Sequence, residues 1–190
     1  MGTALRMSAD FETMLVAMRD AAAALRDAEI PFALAGSVAI YARGGADTRH
    51  DVDFLVKPED AERALEVLEE RGFRSEKPPE GWLYKAFDTN GVMVDLIFRP
   101  ATGDVDDELL ARAEPVEVYA IVVPALPVTD ILTGKLLALR EHNLDLGPCL
   151  EIARSLREQI DWDKLRSRTE HSPYAQAFFA VVDGLNLNGS

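Results

Sequence analysis

The chain is 190 residues long and acidic: 20 lysine or arginine residues stand against 33 aspartate or glutamate residues, which gives a formal net charge of -13. A chain of this length buries a hydrophobic core without cross-links, and its single cysteine, Cys149, cannot form an internal disulfide. The acidic excess disfavours sequence-independent binding along a nucleic-acid backbone, although a local basic cleft is compatible with it.

The N-terminal sequence has the features of neither a signal peptide nor a transit peptide. No apolar run approaches the roughly 18 residues that a membrane span needs. A single cysteine also fits a reducing compartment. We therefore expect a cytoplasmic protein that makes no contact with a membrane.

The first predicted elements are a helix, a strand and a sharp turn. Apolar residues recur at helical spacing over residues 9–28, and a short apolar strand follows over residues 30–35. The strand ends at Gly36-Ser37, and a helical segment runs from Val38 to the glycines at 44 and 45. At such a turn the first N–H groups of the helix lack an internal partner, so that together with the Ser37 hydroxyl they can hold a phosphate.

Two acids one residue apart, Asp51 and Asp53, stand at the start of the next predicted strand, residues 51–56. Side chains two apart on a strand share a face, which places their Cα atoms roughly 6 to 7 Å apart. Like charges side by side destabilise a fold unless a cation neutralises them. The pair suits a hard divalent cation such as Mg²⁺ or Mn²⁺. The alternative is a pair of solvated acids on an edge strand beside an ordinary turn.

The middle of the chain is predicted to add a helix, a loop and a hairpin to the sheet. Pro58 opens the helix, which ends at Gly72, and residues 72–81 read as a polar, proline-broken loop near the mouth of the site. Asn90-Gly91 then predicts a tight turn between strands 83–87 and 92–98. In the second of these strands Asp95 has apolar neighbours on its own face, which a metal or a reacting hydroxyl would explain. A further strand is predicted over residues 117–123.

The rest of the chain is predicted to be helical, over residues 131–142, 148–160, 162–168 and 173–182. The first of these helices carries Lys135 next to its packed side. The ammonium group either reaches over the sheet edge to a triphosphate or lies along the surface. Asp145, between the first two helices, is either an acid of the site or a plain helix cap.

The turn and the acids occur in an order that resembles the nucleotidyltransferase superfamily of the DNA polymerase beta type. Its signature is an apolar residue, Gly, and Gly or Ser, then a gap of about nine to thirteen residues, then two acids that alternate with apolar residues. The chain reads Ala35-Gly36-Ser37, thirteen residues, and Asp51-Val52-Asp53-Phe54. The superfamily also has a third carboxylate on a later strand, and Val94-Asp95-Leu96 fits that place.

The segment around Lys135, TGKLLALREH, is similar to the lysine-bearing helix of abortive-infection type nucleotidyltransferase toxins, including mycobacterial ones, in which the lysine contacts the nucleotide. Those relatives follow the lysine with Arg-Asp and then another Asp. The matching stretch here, His142 to Gly147, lacks the arginine, and Asp145 is its remaining acid.

The resemblance implies an α/β (α+β) fold: a small twisted mixed sheet with flanking helices in a catalytic domain at residues 1–125, and a C-terminal helical bundle at residues 126–190 that closes the cleft. It also implies NTP as substrate and a bound Mg²⁺ or Mn²⁺. Arg43 and Arg49, between the turn and the acid pair, are further candidates for the nucleotide's cationic partner. The expected catalytic and metal-binding residues are Asp51, Asp53 and Asp95, and the expected nucleotide-binding residues are Gly36, Ser37, Arg49 and Lys135.

Three functions are compatible with these observations. By resemblance the leading one is a stand-alone, toxin-like nucleotidyltransferase that adds nucleotides to a tRNA 3′ end and is opposed by an antitoxin protein. The second is a small-molecule nucleotidyltransferase of the antibiotic-modifying kind, which an acidic surface would suit because aminoglycosides are cationic. The third is a catalytically idle domain that only binds a nucleotide, against which the three intact acids argue.

Overall fold

The structure, a computed structural model, describes residues 9–46 and 51–188. Its strands are β1 (Phe32–Ala35), β2 (Val52–Val56), β3 (Arg74–Glu76), β4 (Leu83–Phe87), β5 (Met93–Ile97), β6 (Glu114–Val118) and β7 (Ile121–Ala125). They form one seven-stranded sheet in the order β3-β4-β5-β2-β1-β7-β6. Strand β2 runs parallel to β5, and β1 parallel to β7, while the other neighbours are antiparallel. The prediction of a mixed sheet in an α/β fold is confirmed.

Helices flank this sheet and form the C-terminal part of the chain. They are α1 (Ala9–Asp27), α2 (Gly36–Ala42), α3 (Ala61–Glu70), α4 (Asp107–Ala111), α5 (Val128–Ala138), α6 (Gly147–Ser155), a 3₁₀ turn (Arg157–Gln159), α7 (Trp162–Thr169) and α8 (Pro173–Gly184). Helices α1 and α3 pack against each other and against β5, whereas α5 packs against α6, α7 and α8. The division into domains at residues 1–125 and 126–190 stays a prediction. No helix in the described ranges is long and apolar enough to cross a membrane.

Strand β2 sets the environment of the acid pair. Its residues Val52, Phe54 and Val56 have no solvent-exposed surface, and Phe54 packs edge-on against Phe32 with ring centroids 5.3 Å apart. Asp53 lies between them in sequence and is only half-buried. Since successive side chains of a strand point to opposite faces, the apolar residues anchor the strand in the core and Asp53 faces the other way.

The prediction of a single strand over residues 117–123 is wrong. The chain instead forms an antiparallel hairpin of β6 and β7, whose turn residues Tyr119 and Ala120 have positive φ values of 49° and 61°. Two such residues are what a tight hairpin turn requires, yet glycine or asparagine usually marks it. Pro115 and Pro124 are paired across this hairpin, where β6 is the edge strand of the sheet.

Other elements differ from prediction in extent. Strand β3 lies inside the segment predicted as a loop and pairs with β4. Helix α5 begins three residues earlier and ends four residues earlier than predicted. The unpredicted helix α4 begins where the Asp106 carboxylate accepts a hydrogen bond of 2.7 Å from the Leu109 backbone N–H. Helix α2 begins at Gly36 and not at Val38.

Candidate active site

A row of four side-chain positions crosses strands β1, β2, β5 and β4 on one face of the sheet. Asp53 is the register partner of Ala35 on one side and of Asp95 on the other, and Asp95 is in turn the partner of Lys85. Register partners point to the same face, so the two carboxylates and the ammonium group lie side by side. Asp51 stands immediately before β2, two residues ahead of Asp53.

The electrostatics of Asp53 show how close the three predicted acids are. The pKa of Asp53 is raised from 3.8 to about 7, chiefly by burial and also by the charges of Asp95 and Asp51, while the charges of Lys135 and Lys85 lower it. Within the described part of the chain these are the causes that act on it, with no hydrogen bond among them. Asp53 is therefore a carboxylate whose negative charge the protein leaves largely uncompensated.

Gly36 allows the chain to turn directly against this carboxylate. A β-carbon at position 36 would stand 1.7 Å from Oδ2 of Asp53, and the φ of Gly36 is +59°. Both facts exclude a side chain here. The next residue, Ser37, has a buried hydroxyl oxygen that lacks a hydrogen-bond partner, alone among the buried side-chain polar atoms of the described residues. An unsatisfied hydroxyl beside an uncompensated carboxylate is typical of a binding site and not of packing.

Lys85 is the residue that the sequence analysis missed. Its Nζ lies 3.0 Å from Oδ1 and 3.3 Å from Oδ2 of Asp95, and 3.2 Å from the Sδ atom of Met93. The pKa of Asp95 is nevertheless raised, because burial acts on it more strongly than the ammonium group does. An assignment of the hairpin register would have been needed to find this pair.

A cavity of about 1100 Å³ opens beside the row and is lined by two of its four positions, Ala35 and Asp53. Gly36 and Asp53 lie on its wall together with Lys135 of α5, while Leu55, Ile97 and the 41% exposed Trp82 supply apolar surface. Leu55 and Ile97 are register partners two residues beyond Asp53 and Asp95 on the same strands, so they lie on the same face of the sheet as these acids. Among the described residues that line the cavity, five are carboxylates and five are lysine or arginine, so this part of the lining does not share the acidity of the whole chain.

The structure places Lys135 in the cavity wall and gives Asp145 a local contact. Lys135 lines the cavity, and its charge lowers the pKa of Asp53. Asp145 is exposed and accepts a hydrogen bond of 2.9 Å from the backbone N–H of Gly147, the first residue of α6. The contact is a local Asx turn that precedes the helix, whose N-cap is Leu146 without a side-chain cap, and the role of Asp145 stays a prediction.

Of the two arginines considered as nucleotide contacts, Arg43 and Arg49, the structure describes only Arg43. Arg49 lies outside the described residues. Arg43 is held by the edge of the sheet: it donates hydrogen bonds of 2.9 Å to the carbonyl oxygens of Leu126 and Ala125 and to the carboxylate of Glu114. Its side chain is only 9% exposed. Arg43 thus connects α2 to β6 and β7 and is not available to a nucleotide.

A second cluster that sequence reasoning missed lies in the cavity wall. Oδ1 of Asp130, whose side chain is 5% exposed, accepts hydrogen bonds from Nε of Arg112 at 3.0 Å and from Nη1 of Arg168 at 2.8 Å. The three residues belong to the end of α4, to α5 and to α7. The cluster therefore connects the segment after β5 to the C-terminal helices.

Two of the three acids, Asp51 and Asp53, are suited to bind a hard divalent cation. No group of three His, Cys, Asp or Glu side chains among the described residues forms a complete metal-binding arrangement. Asp51 and Asp53 nevertheless offer the oxygen donors that Mg²⁺ and Mn²⁺ prefer, and Asp53 lacks a compensating partner. The oxygens of Asp95 already contact Lys85. The donor set thus suits a cation held by the Asp51 and Asp53 pair.

The family model described as "uncharacterised nucleotidyltransferase" matches residues 3–183. The chain belongs to this nucleotidyltransferase family. The match covers nearly the whole chain and agrees with the superfamily inferred from the Gly-Ser turn and the acids. The match does not show membership of the toxin-like subgroup. No curated protein sequence is similar enough to this family member to count as a match.

Solved structures show the same fold. The antibiotic-resistance factor ANT(2'')-Ia, in complex with adenylyl-2''-tobramycin, is similar with a TM-score of 0.61 and 17% identity, covering 88% of this chain and 98% of that one. The lincomycin-bound lincosamide antibiotic adenylyltransferase LnuA is similar with a TM-score of 0.52 and 13% identity, covering 83% and 98%. The Megavirus polyadenylate synthase gives a TM-score of 0.51 at 13% identity, covering 80% of this chain and 32% of that one. At these identities the likeness shows the fold alone.

Proposed function

We propose that this chain is a metal-dependent nucleotidyltransferase that moves a nucleoside monophosphate from an NTP to a hydroxyl group of a small-molecule acceptor of the antibiotic kind. The observation that carries the proposal is the pairing of Asp53 and Asp95 in register on parallel neighbouring strands, with Gly36 directly against Asp53. The family match and the fold that the chain shares with two antibiotic adenylyltransferases support it.

Asp51 and Asp53 would hold Mg²⁺ or Mn²⁺. A cation bound there neutralises charge on the triphosphate and on the leaving pyrophosphate. The unpartnered hydroxyl of Ser37 would donate a hydrogen bond to a terminal phosphate oxygen, and Lys135 would offset negative charge that develops on the leaving group. Asp95 would hold or deprotonate the acceptor hydroxyl, since it lies next to Asp53 in the row.

The cavity supports an acceptor of small-molecule size. Ligand pockets in proteins span roughly 300 to 1,000 Å³. The cavity here, at about 1100 Å³, has room for a nucleotide and a compact acceptor together. The balance of charge on its lining removes the argument that overall acidity selects a cationic aminoglycoside. The exposed surface of Trp82 beside Leu55 and Ile97 favours instead an acceptor that has an apolar face as well as a hydroxyl.

The alternative function is nucleotide transfer to tRNA by a toxin that an antitoxin opposes. The experiment must distinguish it from transfer to a small molecule. Fold likeness does not choose between acceptors, because the Megavirus polyadenylate synthase also shares the fold. Proteins that grip a nucleic-acid backbone present lysines and arginines in excess of acids. The described part of the cavity lining offers equal numbers of both, which argues against a polynucleotide track there.

The test is a transfer assay with each of the four NTPs, labelled on the α-phosphate, in the presence of Mg²⁺. One arm contains panels of lincosamides and aminoglycosides, the other contains total tRNA, and the Asp53→Asn variant is the control. We expect label on a small molecule with wild type and none with the variant. Label on tRNA alone would replace the acceptor class by the toxin-like one. A wild type that neither transfers label nor binds any NTP would overturn the enzyme proposal in favour of an idle domain.

A further inference from the structure

Lys85 lies next to the proposed metal-binding pair, Asp51 and Asp53, and is less exposed than an ordinary surface lysine. Its Nζ contacts both oxygens of Asp95, at 3.0 and 3.3 Å, and the two side chains are only 23% and 10% exposed. The neighbouring Lys77, which pairs with Glu62, is by contrast 53% exposed, and its partner 68%. An ion pair as little exposed as that of Lys85 and Asp95 is expensive to break, because each partner would lose its counter-charge while still partly desolvated.

The ion pair of Lys85 and Asp95 changes the negative charge that is available to bind a metal ion at Asp53. Asp51, Asp53 and Asp95 together carry three negative charges when ionised. Lys85 offsets the charge of Asp95, which leaves the Asp51 and Asp53 pair, on which Lys135 also acts, to bind a divalent cation. A cation bound to Asp95 would stand close to the ammonium group of Lys85, and repulsion between the two positive charges disfavours Asp95 as a metal ligand.

We propose that Lys85 is a positioning residue that holds Asp95 on the acceptor side and out of the metal's coordination, so that the cation is held by Asp51 and Asp53 alone. This inference rests on the proposed function and assigns separate tasks to the acids of the same site. It differs from the expectation that Asp51, Asp53 and Asp95 all ligate the metal. In the transfer reaction Lys85 acts through Asp95 and contacts neither substrate, while its positive charge also acts on Asp53.

The first test measures Mn²⁺ binding to the full chain, without nucleotide, by electron paramagnetic resonance. Lys85→Met removes a positive charge beside the acids, so Mn²⁺ should bind at least about tenfold more tightly than to wild type or gain a second site. Lys85→Arg keeps the charge, and Lys77→Met removes an exposed lysine of the same region; both should stay within about twofold of wild type. An unchanged or weaker Mn²⁺ affinity of a folded Lys85→Met chain overturns the proposal.

A double variant covers the case in which Lys85→Met does not fold. Lys85→Met combined with Asp95→Asn removes the ion pair as a neutral unit. If Asp95 is not a ligand, Mn²⁺ affinity should stay within about threefold of wild type, since the pair that binds the cation is intact. A loss of about tenfold or more would make Asp95 a ligand and overturn the proposal.

The transfer reaction provides an independent readout. In Lys85→Met, kcat should fall by about tenfold or more while the KM for NTP stays within about twofold, because Asp95 loses its orientation and the nucleotide contacts remain. In an Asp95→Asn background, Lys85→Met should have no further effect on kcat, as expected for a residue that acts through another. A raised KM for NTP with unchanged kcat overturns the proposal by making Lys85 a nucleotide contact. If wild type transfers nothing, the proposed function fails, and the Mn²⁺ measurements still decide the role of Lys85.

Discussion

Gly36 and Asp53 are so close that a β-carbon on the glycine would stand 1.7 Å from Oδ2 of the carboxylate. The turn after β1 and the acid of β2 are therefore a single unit, formed by the pairing of Ala35 with Asp53. A glycine is required at this point both for the approach of the carboxylate and for the positive φ. This relationship explains why the Gly-Ser turn and the acids occur together in the signature.

We predict that Gly36→Ala loses transfer and destabilises the fold by about 1 kcal/mol or more, because the methyl group displaces the Asp53 carboxylate and the backbone conformation is unfavourable for alanine. Chemical denaturation and the transfer assay measure the two effects. Gly184→Ala, at the end of α8, where a β-carbon would meet nothing within 4 Å, is the control and should keep wild-type activity. Full activity of Gly36→Ala would show that the carboxylate does not need its observed position.

The pH dependence of stability in EDTA tests the raised pKa of Asp53. Its folded-state pKa of about 7 is above the ordinary 3.8, so the folded state binds a proton more tightly than the unfolded state does. Protonation therefore stabilises the fold at low pH, and this contribution is lost as pH rises through about 7. Asp53→Asn is neutral throughout, so its Tm should exceed that of wild type at pH values above that pKa and approach it at lower pH. A Tm difference that does not change with pH would contradict the assignment.

Lys135 and Arg43 should respond in opposite ways to removal of their side chains. Lys135→Ala should weaken NTP binding or slow transfer by tens of fold, since a charge-assisted contact contributes about 1.5 to 3 kcal/mol. Its stability should barely change. Arg43→Ala should lower stability, because three hydrogen bonds to the sheet edge are lost, and should retain NTP affinity. Arg49→Ala belongs in the same series, and a loss of affinity confined to it would transfer the nucleotide contact from Lys135 to Arg49.

The Asp130 cluster should stabilise the attachment of the C-terminal helices. Asp130→Ala leaves Arg112 and Arg168 without their shared carboxylate, and we expect a loss of about 3 kcal/mol in the free energy of unfolding. Glu151→Ala, at an exposed position of α6, is the control and should change stability by less than about 0.5 kcal/mol. Similar denaturation midpoints for the two variants would contradict a structural role of the cluster.

The sequence was sufficient to predict the hairpin of β4 and β5 but not its register. A two-residue turn at Asn90-Gly91 would place Lys85 opposite Leu96 and hence on the face away from Asp95. From the sequence alone Asp95 therefore had no visible partner, and a metal or a hydroxyl was the simplest explanation for it.

The observed register differs by one residue because of a side chain at the turn. The Asp88 carboxylate accepts hydrogen bonds of 2.8 Å from the backbone N–H groups of Asn90 and Val92, which lengthens the loop. Lys85 is thereby brought opposite Asp95. Such a competition between side-chain and backbone hydrogen bonds is decided by geometry, which residue types alone do not specify.

The remaining differences have the same origin in tertiary contacts. The positive φ values of Tyr119 and Ala120 are stabilised by the pairing of β6 with β7 and not by residue type. The cluster of Arg112, Asp130 and Arg168 joins residues far apart in the chain, which no local pattern reveals. By contrast, the strand positions of Asp53 and Asp95 follow from local alternation and agree with prediction.

The most direct test of the central claim is the mass of the acceptor after incubation with NTP and Mg²⁺, measured together with released pyrophosphate. We predict a small-molecule product heavier by one nucleoside monophosphate, one pyrophosphate released per product, and neither of them with Asp53→Asn. An acceptor of unchanged mass, with NTP intact in the presence of folded wild-type chain and every acceptor class, would contradict it.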